Sequence, residues 1–165
     1  MTRLALTIAS CAALLSAQTS APSHGTYARI KVHGASLEGN LSGEPADRDV
    51  SIYLPPSYQT QNNRRYPVVY LLHGYTNSDV GWFGPESRGS FANGNTMTAA
   101  ADRAFAGAGT KEIILVMPNA YTIYQGSMFS NSVTTGDWEG FVAKDLVAYL
   151  LSLDHTTVPL PEAKE

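Results

Sequence analysis

The 165 residues are 44% apolar and 15% charged, the balance of a globular chain and not of a disordered one, and the length suits a single domain. The net charge of −3 is scattered along the chain. No basic stripe offers a seat for nucleic acid, and no acidic run offers one for a basic partner.

The first 21 residues read as an export signal. Arg3 gives a positive start, Leu4–Leu15 a short apolar stretch, and Ser16–Ala21 a small, polar end. About twelve apolar residues fall short of the ~20 that a membrane-spanning helix needs. A secreted or periplasmic protein with no membrane span is therefore expected. The only cysteine, Cys11, lies inside this segment. Ile8-Ala9-Ser10-Cys11 resembles a lipoprotein box, but the apolar run continues past it to Leu15. Once the signal is removed, no thiol or disulfide chemistry remains.

Ser20–Gly25 is a linker, and residues 22–48 read as linker plus a first edge strand. Within them Tyr27, Arg29 and Lys31 alternate with Ala28, Ile30 and Val32, as in a half-buried strand. Gly34–Asp47 is rich in turn formers. Val50, Ile52 and Leu54 alternate in a second strand that Pro55-Pro56 stops, so the two are expected to pair antiparallel. After the polar turn Asn62–Arg65, Val68–Leu72 lacks polar alternation and reads as a strand buried on both faces. A long glycine-rich loop, Thr76–Asn95, follows. Thr96–Ala106 has helical spacing and ends at Gly107 and Gly109. Ile113–Met117 is a further short strand, stopped by Pro118. Strand, helix, strand is a crossover unit and implies parallel pairing.

Asn119–Gly136 is a second long loop. Both long loops follow the C-terminal ends of adjacent parallel strands, where open α/β sheets bind ligands. Trp138–Leu153 is expected to be one helix, its stripe formed by Trp138, Phe141, Val142, Leu146, Tyr149, Leu150 and Leu153, with Asp137 as N-cap. Residues 154–165 carry two prolines and read as an unpacked tail.

The chemistry centres on Tyr66–Tyr75, YPVVYLLHGY, an apolar strand running into His73-Gly74-Tyr75. Gly74 permits a sharp turn that leaves the Tyr75 N–H free to point into a pocket, where a fixed donor stabilises a developing oxyanion. The bland alternative is an ordinary strand-ending glycine. No G-x-S-x-G nucleophile turn occurs in the 165 residues. Gly34-Ala35-Ser36 comes nearest, but Glu38 stands in the place of its last glycine. His73 reads as structural, and Ser127, Ser130 and Ser132 as turn formers. No His/Cys/carboxylate grouping has metal-ligand spacing and no phosphate loop is present, so no metal or cofactor is expected.

VSIYLPPSY, YPVVYLLHGY, Trp82, IILVMPNA and SMFSNSVTTGDWEGFVAKDLVAYL, in that order, resemble the "Putative esterase" family of α/β-hydrolases. That group is similar to esterase D (S-formylglutathione hydrolase), feruloyl esterases and mycolyltransferases. The likeness covers roughly residues 49–153. It implies an α/β fold, specifically the N-terminal half of an α/β-hydrolase with a mainly parallel sheet and flanking helices. It implies a serine carboxylic-ester hydrolase acting on a small-molecule or polysaccharide ester. By the same resemblance Tyr75 supplies an oxyanion N–H, and His73, Gly74, Trp82, Asn131, Asp137, Trp138 and Glu139 are motif or pocket-lining residues.

In the family, the helix matching Trp138–Leu153 leads into the nucleophile strand, followed by the acid and the histidine. None of the three can be assigned here, so the expectation is a truncated, catalytically inactive esterase. The family's sheet order also leaves Val68–Leu72 as an unpaired edge, open to association or aggregation. The alternative is a non-catalytic module that binds carbohydrate or aryl groups on its loop aromatics, Tyr75, Trp82, Phe83, Tyr121, Tyr124 and Phe129.

Overall fold

The computed structural model describes residues 24–83, 95–107 and 109–153. The export signal with Cys11, residues 84–94 of the first long loop, and the tail with His155 lie outside the described residues. No helix among the described residues is long and apolar enough to cross a membrane.

Strand β1 (Thr26–His33) pairs antiparallel with β2 (Asp47–Leu54), in a register running from Thr26 opposite Leu54 to His33 opposite Asp47. Alternation in β1 sends Ala28, Ile30 and Val32 into the core. In β2, by contrast, every residue from Val50 to Leu54 is buried. The reason is position: the sheet order is β1-β2-β4-β3, which makes β2 an inner strand covered on both faces. Ser51 and Tyr53, on the face opposite Val50 and Ile52, reach the buried Asp79 and the half-buried Asp102.

Strand β3 (Val68–Tyr70) runs parallel to β4 (Ile114–Pro118), and the crossover between them contains α1 (Met97–Phe105). The Thr96 hydroxyl caps α1 by accepting from the Ala99 N–H. Because β2 lies antiparallel to β4, the sheet is mixed, which corrects the mainly parallel sheet expected. Only the β3–α1–β4 crossover produces a parallel pair; β2 alone runs against the other three strands, so both of its pairings are antiparallel.

Two layers cover the sheet. On one face Tyr53, Phe83, Leu115 and Met117 pack with Ala101 of α1. On the other, Val32, Val50, Ile52 and Val116 pack with Leu37, Trp138, Phe141 and Leu146. The last three are fully buried, at ~1.5–3 kcal/mol for each large side chain. Their helix is not continuous. It divides into α2 (Trp138–Gly140), a π-helical stretch Phe141–Asp145, and α3 (Leu146–Ser152). In a regular α-helix Phe141 and Leu146, five residues apart, would point about 140° apart; the wider turn brings both to one face. The Asp145 carboxylate then reaches the Ser36 N–H at 2.8 Å, tying this stretch to the short 3-10 turn Ala35–Leu37. The Asn119–Gly136 segment is also more structured than expected. Strands β5 (Asn131–Ser132) and β6 (Gly136–Asp137) form a two-residue ribbon.

Strand β3 departs most from expectation. Val68 and Val69 are 38% and 39% exposed and Leu72 is 47% exposed. The sequence pattern fits a strand buried on both faces, but β3 is the sheet edge, and among the described residues nothing pairs beyond it.

Candidate active site

The hydrogen-bonded pairing of β3 continues through the Leu71 N–H to the Val116 carbonyl, at 2.8 Å, and then the chain turns. The His73 ring is buried under this turn. Its Nε2 accepts from the Ala120 N–H at 2.9 Å, and its Nδ1 donates to the Gly74 carbonyl at 3.0 Å. That pair of bonds assigns the proton to Nδ1. Both nitrogens are engaged, so His73 is a strut joining the ends of β3 and β4 and not a base for a substrate. Burial pulls its pKa below the ordinary 6.5, against a smaller upward pull from the Gly74 carbonyl.

A histidine with a lowered folded-state pKa contributes stability that is complete above 6.5 and is lost as the pH falls below it. Protonation removes the acceptor from Ala120. The hydrogen-exchange protection of the Ala120 amide, corrected for intrinsic rate, should therefore drop as the pH falls below about 6.5, and His73→Gln should flatten that drop. Constant protection across this range would contradict the strut role.

Gly74 and Tyr75 are exposed, and the Tyr75 N–H has no hydrogen-bond partner among the described residues. The next residue, Thr76, has φ of 65° and donates its N–H to the Gln125 carbonyl at 2.9 Å. Gln125, Met128 and Phe129 also lie in the left-handed region, at φ of 67°, 57° and 52°. Among the described residues these four are the only non-glycines there, and all lie in the two loops beyond β3 and β4. Such conformations cost of order 1–3 kcal/mol each and concentrate at functional sites. They surround a slot of about 100 Å³ lined by His73, Gly74, Tyr75 and Gly126–Phe129. The Phe129 ring meets His73 edge-on, with centroids 5.2 Å apart.

Two buried charges hold the second loop in place, and neither stood out in the sequence. Arg48 donates through Nε to the Asn119 carbonyl at 3.1 Å and through a terminal nitrogen to the Tyr121 carbonyl. Glu44, 3.5 Å from Arg48, accepts from the Ile123 N–H at 2.7 Å. The Arg48 guanidinium also lies over the Trp138 ring, 4.8 Å from its centroid. Burial lowers the pKa of Arg48 below its ordinary value, with Glu44 opposing. Asp79 performs a similar task in the first loop. Fully buried, it takes both nitrogens of a fork from Arg29, at 2.7 and 2.9 Å, and the Ser51 hydroxyl at 2.9 Å. A charge beside the apolar alternation of Val50, Ile52 and Leu54 was the available signal for Arg48; Asp79, in a polar loop, gave none.

The remaining candidates separate. Asn131 sits opposite Asp137 across β5–β6, and both line a cleft of about 220 Å³ with Glu139, Ala143 and Lys144. Asp137 also caps the helix, accepting from the Gly140 N–H at 2.8 Å. Trp138 is fully buried, with its indole N–H on the Thr135 carbonyl, so it is core and not lining. Trp82 packs against the cluster of Tyr53, Phe83 and Met117. Among the described residues no serine hydroxyl bonds a histidine.

The sequence of the family described as "Putative esterase" matches residues 44–157, more than half of the chain. This chain belongs to that esterase family. Its fold resembles that of a solved ferulic acid esterase, with a TM-score of 0.60 and 22% identity over 78% of this chain and 42% of the other. A CE1 ferulic acid esterase from Anaeromyces mucronatus, solved in complex with ferulic acid, gives a TM-score of 0.52 and 18% identity over 78% of this chain and 43% of the other. The esterase chain thus spans less than half the length of either structure. The likeness places the mixed sheet and its two helical layers among α/β-hydrolase folds.

Proposed function

We propose that this esterase chain carries the oxyanion-donor half of a carboxylic-ester hydrolase site and is itself inert toward esters. The Tyr75 N–H, without a partner among the described residues and held beyond β3 by Gly74 and by the Thr76–Gln125 bond, carries the reading. A donor fixed in this way is worth about 2.7–4 kcal/mol to a tetrahedral intermediate. In α/β-hydrolases the second donor follows the nucleophilic serine of G-x-S-x-G, and the 165 residues contain no such turn. One donor without nucleophile or base leaves the chemical step uncatalysed, since each has a separate task in acyl transfer. Esters of aromatic acids are the substrate class suggested by the ferulic acid esterase relatives. The apolar slot beside Tyr75, walled by Met128 and Phe129, suits an aryl group.

The test is turnover of p-nitrophenyl acetate and methyl ferulate by purified chain. No rate above buffer is expected; a saturable rate that disappears on mutation of one serine would overturn the proposal. Export is proposed with it. Mass spectrometry of the secreted or periplasmic form should show a start between Gln18 and Ser23, whereas an intact Met1 in the cytoplasm would oppose export and a lipid on Cys11 would show lipoprotein processing.

A further inference from the structure

The second long loop carries an apolar tip. Ile123 is 68% exposed and Tyr124 54%. Neither lines the slot beside Tyr75 or the neighbouring cavity bounded by Thr76, Val80 and Tyr121. Both lie on the turn Thr122–Gly126, which the buried Thr122 hydroxyl closes by donating to the Gly126 carbonyl at 2.8 Å. The Gln125 carbonyl of this turn accepts from the Thr76 N–H, so the tip is fixed to the first loop as well. Met128, 75% exposed, follows in the wall of the slot.

The backbone of the tip is satisfied from within. The Asn119 N–H donates to the Asp49 carbonyl at 2.9 Å, that of Ala120 to His73, and that of Tyr121 to the Asn119 side chain. The Ile123 N–H donates to the Glu44 carboxylate, and the Tyr124 and Gly126 N–H groups to the Thr122 hydroxyl oxygen at 3.1 and 3.3 Å. The Gln125 N–H donates to the Thr122 carbonyl at 2.8 Å. On a surface turn, water serves such donors without help. Internal acceptors matter where water is displaced. Glu44, a buried carboxylate, is committed to one N–H at this tip.

The same face carries no charge. No Asp, Glu, Lys or Arg occurs in residues 66–78 or 119–136, and the Asp79 carboxylate next to them is fully buried against Arg29. Polar and charged groups register a specific protein partner, and the tip offers neither a charge nor, from residues 123–126, an open N–H. Anionic lipid is held by clustered Lys and Arg, which these segments lack. An isoleucine beside a tyrosine on a protruding turn suits a fluid layer that yields around it. The aliphatic chain enters the acyl boundary and the phenol stays at the headgroup level.

We propose that this tip docks the chain on a zwitterionic lipid surface through Ile123, Tyr124 and Met128. The test is hydrogen exchange of the full chain with phosphatidylcholine vesicles, with phosphatidylglycerol vesicles, and without lipid at several protein concentrations. Leu4–Leu15 is apolar enough to hold an unprocessed chain on either vesicle, so the readout is local. Phosphatidylcholine should protect residues 121–128. Ile123→Asp should reduce that protection at least about tenfold, because a charge resists transfer out of water, with exchange in β1 and β2 unchanged. No protection of residues 121–128 by phosphatidylcholine would overturn the proposal. So would protection by phosphatidylglycerol alone, which would mean attraction by charge. Equal protection without lipid at high protein concentration would overturn it too, by assigning the tip to a second copy of the chain. No hydrolysis is read, so this proposal and the ester reading stand or fall separately.

Discussion

Arg48→Met should destabilise the chain by about 3–5 kcal/mol, the usual result of removing one partner from a buried ion pair. The side chains of Arg48 and Glu44 are 8% and 4% exposed. Methionine preserves much of the stem that packs near Trp138 but leaves the Glu44 carboxylate buried with only the Ile123 N–H. It also frees the carbonyls of Asn119 and Tyr121, which Arg48 holds. Residues 119–123 should therefore lose exchange protection beyond the change elsewhere in the chain. Adding Glu44→Gln should restore part of the loss, because the stranded charge is gone. Urea unfolding and hydrogen exchange of the single and double variants measure both effects. A single variant within about 1 kcal/mol of the parent would show that the pair does not support the loop.

The second large effect belongs to the edge of the sheet. Val68, Val69 and Leu72 expose apolar surface on an edge strand that has neither the charge nor the proline with which natural edges avoid pairing. Each large side chain left outside forgoes up to ~1.5–3 kcal/mol, against a net stability of ~5–15 kcal/mol for a whole domain. Self-association through β3, with a shallow unfolding transition, is the expected behaviour in isolation. Val69→Lys should shift size-exclusion elution toward the monomer, since a lysine on the edge opposes strand addition. A parent chain that elutes as a monomer and unfolds steeply in urea would show that the fold closes without a further strand.

Local signals in the sequence carried much of this. Alternation in β1, the helix that starts near Thr96 and the Asp137 cap each depend on neighbours a few residues away, and each is found where its pattern stands. What was not legible depends on distant partners. Burial of Ser51 and Tyr53 requires Asp79 and Asp102, 28 and 49 residues further on. Arg48 grips carbonyls 71 and 73 residues away. The π-helical turn at Phe141–Asp145 left no local sign either, because its stripe reads well enough as an ordinary helix until Leu37 and the sheet decide which side chains must share a face. For the candidate site, the motif at His73–Tyr75 was visible, but the slot it lines is completed by Gly126–Phe129 of the other loop, which the Thr76–Gln125 bond holds against it.

The claim that this esterase chain holds an oxyanion donor without its nucleophile is tested most directly by intact-mass spectrometry after incubation with a fluorophosphonate, which reacts with activated serines. The chain is predicted to emerge with its mass unchanged. A stoichiometric adduct on one serine, lost when that serine is replaced by alanine, would mean that a complete nucleophile lies within the 165 residues and would contradict the account.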